Sequence, residues 1–534
     1  MKKLFIHYSL FLVLFGSFVV LGIIYQEASL TSLKNDINAS NGDGTTYYIS
    51  SSTGNDTNNG LSPATAWQSF ANINANFTII NQEPIIDDGN PVLYDNGSQC
   101  YTWYENTTQG DVTLNPGDSI LLFRGDVWQE QLRLNAKGNT THPITLSAYG
   151  VGEKPLIRLD GFEYQECIVL DDPSFWRISD IDLRSAKIGL YLRYWDDYWN
   201  DDVRIFNCHF QDIYSLEWER TWEHNFEYSW SCGIFVGGKI ETQQHAPVID
   251  NLLVRNSTFQ NCTVAFGDNW YWPEVNRSRL RNLILENCTI QGGQQGMMLN
   301  FVDGGHARYF HTLNGGGHYS CGVAGGFAQS CQNFVIEKSI FANIKRDLCP
   351  DGVGFDYEGD NRNMTFRNNA VFNNDGAGIL VMSTVSTNID IAIENCLFYN
   401  NCRNPYSDEV SYELLCYDET TTGSLKNVRI DIGDDWNRVT KEYGITIAEI
   451  DDNPEEYTVK YFSEKWFAFN SVLNVDMQVM DDDLDYSSLW PFEKCIWCDG
   501  VNDSRIGLEF GIGINFAFIS IILITFLIIK GNKK

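Results

Sequence analysis

An all-β solenoid, in which short strands stack coil upon coil, is the fold class that the sequence predicts, and three observations predict it. Segments of the form apolar-x-apolar-x-Asn-small-x-apolar recur along the middle of the 534-residue chain. A second apolar strand that opens with Gly follows in most repeats. Apolar residues alternate with period two, and no helical period accompanies them. Short strands at a fixed spacing bury their apolar side only when each coil stacks on the last.

Each repeat carries a marker residue that ends its first strand. Asn suits this position because it tolerates the left-handed backbone conformation of a tight turn. Successive markers are separated by 27, 49, 31, 51, 30 and 27 residues. We interpret the unit as 27 to 31 residues long and the two long spacings as units with insertions of roughly 20 residues. The markers are Asp180, Asn207, Asn256, Asn287, Lys338, Asn368 and Asn395.

The second strands and the cysteines follow the same repeat. The strand-opening glycines are Gly189, Gly233, Gly296, Gly354 and Gly378. Two short strands per unit predict a right-handed parallel β-helix over residues 45–430, because a β-propeller would need four strands in a unit of about 40 residues. Cys208, Cys288 and Cys396 occupy equivalent places, so we expect stacked, buried thiols and not disulfide partners.

The charge balance restricts the classes of ligand. The chain has 69 Asp and Glu against 37 Lys and Arg, and its formal net charge is −32. Such a charge repels phosphate backbones and predicts no nucleic-acid partner. Hydrophobic residues at 43% and aromatic residues at 14% exclude a largely disordered chain.

Both ends of the chain are apolar, and we predict a helix at each. Residues 1–27 fit a signal peptide or an uncleaved signal anchor, since Lys2 and Lys3 precede an uncharged run long enough to cross a bilayer. Residues 508–529 are predicted as a transmembrane helix, which places the basic tail 530–534 in the cytoplasm. The chain between them would lie outside the cell, where Asn-x-Ser/Thr sequons permit glycosylation. These sequons include Asn55, Asn106, Asn139, Asn261 and Asn363.

Residues 431–505 keep strand-like patches, and we interpret them as irregular last coils or a C-terminal cap. Cys495 and Cys498 form a CxxC pair just before the predicted membrane helix. A small disulfide loop is favoured there over a redox motif or half of a metal site, because no second CxxC pair accompanies it. The 14 cysteines of the chain fit an oxidising compartment.

Two motifs near the start of the solenoid resemble the opening of secreted members of the pectate lyase-like right-handed parallel β-helix superfamily. The first lies within residues 47–70 and includes Trp67, and the second lies within 114–126 and includes Asp118. The resemblance covers roughly residues 45–430. It implies a polysaccharide-active protein. The reaction stays open, because the superfamily includes lyases, glycosidases, epimerases, esterases and non-catalytic surface proteins.

One strand carries the strongest candidate site. Alternation directs Phe355 and Tyr357 into the core, so Asp356 and Glu358 point outward, about 7 Å apart. Such a pair suits a general acid and base or a hard cation. Leu380, the outward residue of the next coil, is predicted to be an exposed apolar neighbour. A covered or ligand-facing groove is therefore favoured over a solvated acidic strand surface.

Three further acids lie close to this pair. Asp351 and Asp360 flank it along the chain, and Asp375 opens the next coil. Carboxylate oxygens are ligands that Ca²⁺ prefers, so we assign these three acids as candidate calcium ligands. The alternative is that they tune the charge of the pair.

The predicted insertion before Lys338 carries His306, Arg308 and His311. We place these residues in a glycine-rich loop directly after a strand of the same face. The histidines lack a compact zinc-ligand spacing, so catalytic or substrate-contacting histidines are favoured over a zinc site. Hydrogen bonding within the loop is the alternative, and Arg308 is assigned to substrate binding.

Lys345 and Arg346 come just before Asp351. In lyases of the superfamily that the chain resembles, a Lys or Arg removes the proton next to a uronate carboxyl group while calcium stabilises the developing charge. The resemblance makes Lys345 a candidate base and Arg346 a candidate substrate contact. A surface charge on a turn is the favoured interpretation of Lys345.

Aromatic loops lie at the edge of the same sheet. Trp195, Trp199, Trp270 and Trp272 are interspersed with Asp and Asn, and this mixture suits sugar rings, whose C–H faces stack while their hydroxyls need acceptors. The alternative is that large loops need small cores of their own. We assign the four tryptophans to substrate binding.

These residues predict an extracellular, membrane-anchored, monomeric β-helix protein that acts on polysaccharide as a glycoside hydrolase or a polysaccharide lyase. Hydrolysis is favoured, because the paired acids are explicit and the base for elimination is not. A non-catalytic carbohydrate-binding, adhesion or structural surface protein is the second hypothesis.

Overall fold

A computed structural model describes part of the chain between residues 44 and 450. The gaps are residues 85, 88–89, 92–100, 109–111, 160–165, 195–198, 214–230, 239–247, 269–279, 317–321, 347–348, 385, 407–411, 417–419, 432–439 and 442–444. The described residues belong to one compact unit, Met1–Pro454, and a second unit, Glu455–Lys534, lies outside them. The predicted terminal helices, the basic tail and the CxxC pair also lie outside. In the part that the structure describes, no helix has the length and apolarity to cross a membrane.

The described residues form 38 strands. In chain order they are β1 (Thr46–Ile49), β2 (Asn76–Pro84), β3 (Ile86–Asp87), β4 (Asn90–Pro91), β5 (Tyr101–Thr108), β6 (Ser119–Phe123), β7 (Val127–Trp128), β8 (Leu132–Lys137), β9 (Ile144–Tyr149), β10 (Leu156–Arg158), β11 (Glu166–Ser174), β12 (Trp176–Ser179), β13 (Asp182–Ala186), β14 (Ile188–Tyr194), β15 (Trp199–Asp201), β16 (Val203–Phe206), β17 (His209–Ile213), β18 (Cys232–Gly238), β19 (Val248–Asp250), β20 (Leu253–Arg255), β21 (Thr258–Cys262), β22 (Val264–Asp268), β23 (Leu280–Gln291), β24 (Gln295–Asn300), β25 (Val302–Leu313), β26 (Phe327–Gln329), β27 (Gln332–Glu337), β28 (Ile340–Ala342), β29 (Phe355–Gly359), β30 (Arg362–Arg367), β31 (Ala370–Phe372), β32 (Ile379–Val381), β33 (Ile389–Glu394), β34 (Leu397–Tyr399), β35 (Leu414–Cys416), β36 (Gly423–Asp431), β37 (Thr440–Lys441) and β38 (Ile445–Ile450). A short 3₁₀ helix spans Pro63–Thr65.

Two large parallel sheets contain most of these strands. One has 11 strands and runs from β8 through β11, β14, β18, β22, β24, β26, β29, β32 and β35 to β37. The other has 23 strands, and a coil contributes two segments to it on either side of the marker residue: β12 pairs with β16, and β13 with β17. Two antiparallel hairpins, β2–β5 and β3–β4, lie outside both sheets. Parallel pairing of each strand with its counterpart one coil on confirms the predicted all-β coil, and it continues to Ile450.

The marker residues adopt the left-handed conformation predicted for them. The angle φ is 62° at Asp180, 49° at Asn207 and 53° at Lys338, and the other four markers share it. The side chains also link the coils, because Asn207 Nδ2 donates a hydrogen bond to Asp180 Oδ1 at 2.6 Å. The marker therefore serves both the turn within a coil and the contact between coils.

The prediction of an insertion between Asn287 and Lys338 is wrong, because this stretch forms a complete further coil. Strand β25 pairs in parallel with β23 on one side and with β27 and β28 on the other. Tyr309, with φ at 51°, occupies the marker position of this coil. Tyr rarely adopts a positive φ, so the alternation and spacing of the other repeats do not reveal it.

The interior of the coils is apolar and includes the predicted thiols. Cys208, Cys288 and Cys396 are buried and not disulfide-bonded, as predicted. The Cys208 thiol donates to the carbonyl of Phe206 at 3.3 Å, and the other two thiols make the same contact two residues back along the chain. A thiol at this position thus fills the core and satisfies a local carbonyl group.

Candidate active site

Strand β29 presents the candidate acids on its outer face. Phe355 and Tyr357 are fully buried in the core, so the alternation of the strand directs Asp356 to the opposite face, as predicted. Asp356 is nevertheless only 6% exposed. A carboxyl group in this position is separated from most of the solvent although it lies outside the coil.

The neighbouring coils explain this burial. Asp356 is paired in register with Phe327 on one side and with Leu380 on the other. Both are buried, so the predicted exposure of Leu380 is wrong. Apolar neighbours on both sides remove water from the carboxyl group and disfavour its charged form.

Glu358 belongs to a break in the strand pairing. Ala328 pairs with Tyr357, but the next residue, Gln329, pairs with Gly359, so Glu358 is an extra residue in a β-bulge. Thr384 of the following coil holds the bulge, because its amide and its Oγ1 donate to the Glu358 carbonyl at 3.0 Å and 2.7 Å. A bulge re-aims a side chain without interrupting the sheet on either side.

Asp356 and Glu358 share a hydrogen bond between their carboxyl groups. Burial raises the pKa of Asp356 well above its usual range, and the charges of Glu358 and Asp351 raise it further. Burial also raises the pKa of Glu358, whereas hydrogen bonds from Asp356 and Thr384 lower it. Asp356 is thus the member of the pair that keeps a proton, and its Oδ1 is buried without a hydrogen-bond partner.

Asp351 is the third acid of this site. It lies on the loop that leads into β29, and its charge acts on both members of the pair. Its Oδ2 accepts hydrogen bonds from the Gly322 amide at 3.0 Å and from the Cys349 thiol at 3.1 Å. Burial raises the pKa of Asp351 as well.

The other two predicted calcium ligands have different partners. Asp360 forms an ion pair with Arg362 at 3.1 Å, and Asp375 Oδ2 accepts a hydrogen bond from the Arg346 amide at 3.2 Å. Among the described residues, no three His, Cys, Asp or Glu side chains form a group that could hold a metal ion. Asp351, Asp360 and Asp375 therefore do not converge on one cation position.

The structure corrects the placement of His306, Arg308 and His311. These residues lie on β25 in the 23-stranded sheet, not in a loop beside the 11-stranded sheet that carries Asp356. Arg308 forms an ion pair with Glu286. His311 is buried, its Nδ1 accepts a hydrogen bond from the Ile340 amide at 3.2 Å, and burial lowers its pKa to about 3. Their sequence position next to β24 does not bring them to the acids.

Of the remaining predicted residues, the two basic residues are described, whereas the side chains of the four tryptophans are not. Lys345 is exposed, and its amide donates to Gly315 O at 3.0 Å, while Arg346 lies at the edge of the 11-stranded sheet. Trp199 begins β15, but its side chain lies outside the described residues. Trp195, Trp270 and Trp272 lie outside them entirely.

Two contributors to the site have no signal in the sequence. Thr384 reaches Glu358 from the next coil, and Cys349 reaches Asp351 within its loop. A threonine after a strand and a lone cysteine are common residues in a chain of this composition. Only the register between coils brings the Thr384 hydroxyl to the acid pair.

Comparisons with known proteins agree with the fold. The family model of a right-handed β-helix region matches residues 167–402, which confirms the predicted β-helix and its hand over that stretch. The right-handed β-helix fold that the resemblance to the pectate lyase-like superfamily implies is thus confirmed over this stretch.

Individual relatives are more distant. The chain is 33% identical over 123 residues to lacto-N-biosidase of Bifidobacterium longum subsp. longum, and the match spans 22% of this chain and 6% of that protein. The crystal structure of the GH136 lacto-N-biosidase from Eubacterium ramulus is similar with a TM-score of 0.48 and 14% identity, covering 76% of this chain and 68% of that chain. For alginate lyase from a Paenibacillus species the values are 0.39 and 14%, covering 62% and 93%.

Proposed function

We propose that this β-helix is an enzyme that hydrolyses glycosidic bonds of a polysaccharide or oligosaccharide, with Asp356 as the general acid. The observation that carries the proposal is the burial of the Asp356 carboxyl group beside Glu358, which raises the pKa of Asp356 well above its usual range. A glycosidic oxygen leaves readily only when it receives a proton, and an acid with a raised pKa still holds that proton near neutral pH.

The hydrogen bond between the pair assigns the second catalytic role to another acid. Glycosidases place their two carboxyl groups about 5–5.5 Å apart for retention or about 6.5–9.5 Å apart for inversion, on opposite sides of the sugar. Asp356 and Glu358 each shift the pKa of the other, so we treat them as one unit. We assign the second carboxylate to Asp351, whose charge acts on the pair and which approaches from the preceding loop.

Two observations support hydrolysis over elimination. The candidate base Lys345 is exposed on a loop, and none of its described contacts joins it to the acids. The Bifidobacterium relative is named lacto-N-biosidase, a glycosidase name. That match spans a small part of the relative, so lacto-N-bioside is one substrate to test and not an assignment.

We also propose an external, membrane-tethered location. The apolar terminal segments, 1–27 and 508–529, and the basic tail 530–534 support it. Asn55 and Asn139 suit glycosylation best among the described sequons, because both are exposed and their side-chain oxygens already order the sequon threonine. Cleavage of the exposed domain from intact cells by added protease is the expected result, and full protection would contradict the location.

The activity is tested with the full chain on lacto-N-tetraose, alginate and polygalacturonate, with and without a chelator. Released reducing ends without 4,5-unsaturated products are expected. Asp356→Asn should lower kcat by about 100-fold or more, the contribution typical of a general acid. Loss of activity with the chelator would establish a calcium requirement, with ligands other than Asp351, Asp360 and Asp375 acting together.

A matched control separates catalysis from charge. Asp303→Asn removes an acid on β25, where Oδ1 accepts a hydrogen bond from Asn333 at 2.8 Å that Asn can also accept. We expect wild-type kcat for Asp303→Asn. Unchanged turnover in Asp356→Asn would refute the proposed site, and glycan binding without turnover in the wild type would favour the non-catalytic hypothesis. Unsaturated products would establish elimination instead.

A further inference from the structure

Three loops stack on consecutive coils at the edge where the chain enters the 11-stranded sheet. They precede β29, β32 and β35. Backbone hydrogen bonds join them: the Asp375 amide donates to Ile344 O at 2.9 Å, the Cys402 amide to Gly376 O at 2.8 Å and the Asn404 amide to Asp375 O at 3.1 Å. A continuous ladder of backbone hydrogen bonds therefore joins the three loops.

Arg346 crosses this edge from the first loop to the third. Its amide donates to Asp375 Oδ2 at 3.2 Å, its Nη1 donates to Cys349 O at 3.3 Å, and its Nε donates to Asn404 O. The backbone amide thus contacts the second loop, and the guanidinium group is fixed by carbonyl groups of the first and third loops. Within the described residues Nη2 makes no hydrogen bond, so it remains available as a donor.

Tyr406 lies beside that guanidinium group. The Arg346 Cζ atom is 5.9 Å from the centre of the Tyr406 ring, within the range of a cation–π contact. Tyr406 is 65% exposed, and it is the one aromatic residue among the exposed large hydrophobic residues of the described chain. Pro405 restricts the backbone just before it. Arg346 and Pro405 thus restrict the orientation of the ring, and the rest of the side chain is open to solvent.

This edge continues to the proposed acids. A Cβ atom at Gly376 would lie 2.3 Å from the Asp351 carbonyl oxygen, so the second loop packs directly on the loop that holds Asp351. The coil of Tyr406 is two coils from that of Asp351, which corresponds to about 10 Å at the usual spacing of about 4.8 Å between strands. A saccharide of a few rings is long enough to contact both.

We propose that Tyr406 and Arg346 form a sugar-binding subsite next to the acid site. The C–H face of a pyranose ring packs on the open face of Tyr406, and Arg346 Nη2 donates to a hydroxyl or carboxylate oxygen of the same sugar. This role rests on the proposed function for its place in the reaction, but the binding itself requires no catalysis. The shared chemistry admits a neutral sugar or a uronate.

The test is equilibrium binding of the full chain to lacto-N-tetraose and to alginate and polygalacturonate tetramers by calorimetry. Tyr406→Ala should weaken binding of the preferred probe about tenfold, whereas Tyr406→Phe should bind within about twofold of wild type, because the ring face is retained. Arg346→Lys distinguishes the two kinds of sugar, with a larger loss for a uronate, whose carboxylate a guanidinium recognises better than an ammonium group. Leu61→Ala, which alters a side chain that is 51% exposed elsewhere, is the matched control.

The outcomes separate this inference from the proposed function. Wild-type affinity in Tyr406→Ala, equal losses in Tyr406→Ala and Tyr406→Phe, or no binding of any probe would overturn the subsite. Weakened binding in Tyr406→Ala together with normal turnover in Asp356→Asn would keep the subsite and reject the acid site. Tyr406 is exposed, so unchanged thermal unfolding should accompany each Tyr406 variant.

Discussion

Thr384 connects the acid pair to the next coil of the solenoid. Its amide and its hydroxyl donate hydrogen bonds to the backbone carbonyl of Glu358. A hydrogen bond from its hydroxyl also lowers the pKa of the Glu358 carboxyl group. This effect opposes the burial that raises the same pKa. Thr384 therefore favours the arrangement in which Glu358 is the carboxylate and Asp356 holds the proton.

Replacement of Thr384 should move the pH profile in a defined direction. In Thr384→Val the hydroxyl is absent and the pKa of Glu358 rises, so the acid limb of the profile of kcat/KM against pH should shift to higher pH. Thr384→Ser keeps the hydroxyl and should retain the wild-type limb. Superimposable profiles for the valine and wild-type proteins would contradict this role.

His311 should make stability depend on pH. The folded protein keeps this histidine neutral because burial lowers its pKa to about 3, whereas an unfolded histidine titrates near pH 6.5. The unfolded state therefore binds more protons below about pH 6.5, and the contribution of His311 to stability is lost as the pH falls toward 3.

His311→Gln should remove that dependence, since Gln can still accept the hydrogen bond from the Ile340 amide. Denaturant unfolding between pH 7 and pH 4 should show a slope for wild type that exceeds that of the variant by up to about 1.4 kcal/mol per pH unit, the value for one proton. Parallel slopes would show that His311 is not the titrating group.

At the scale of the strand, glycine sets how closely successive coils approach. The strand-opening glycines of the 11-stranded sheet form a column in which each faces the carbonyl oxygen of the next coil. A Cβ atom would lie 2.6 Å from Gly233 O at Gly189, 2.5 Å from Gly325 O at Gly296 and 2.6 Å from Gly378 O at Gly354. The repeated glycine visible in the sequence is therefore a contact between coils.

Gly354→Ala should destabilise the protein by about 1–3 kcal/mol, the usual range for overpacking. The added methyl group would also meet Val371 Cγ1 at 2.3 Å. Chemical denaturation measures the loss, and Leu61→Ala at an exposed site should leave the midpoint unchanged. Equal stability of Gly354→Ala and wild type would mean that the coils can separate at this column without cost.

At the scale of the whole molecule, the stacked core protects the thiols. Ten cysteines are described, and nine of them are buried. Burial raises the pKa of Cys208, Cys288 and Cys396 to about 12, so their reactive thiolate form is scarce as well. Each coil is covered by its neighbours, and reagents reach these residues only when the stack opens.

Alkylation followed by peptide mapping should reveal this protection. In the native protein Cys402, the partly exposed member of the ten, should react first. The other nine should be labelled only in denaturant, and together, because they belong to one stack. Rapid native labelling of Cys288 would indicate local opening of the central coils.

The sequence by itself determines the parallel β-helix, because each coil repeats a local requirement that is written in residue types. Asn207 and its equivalents mark turns that need a positive φ, and the alternation around Asp356 assigns inner and outer faces. Residues 288 and 396 follow the same rule as buried thiols. These features depend on neighbours along the chain and on the repeat length alone.

Only the tertiary structure decides what meets across coils. Because Tyr309 stands at the marker position, the sequence pattern does not reveal one complete coil. His311 therefore lies in a strand of the 23-stranded sheet and not in the predicted loop. The bulge at Glu358 and the approach of Thr384 depend on a register shift between β26 and β29. Side chains many residues apart interact only after the coils have stacked, and no local pattern encodes that alignment.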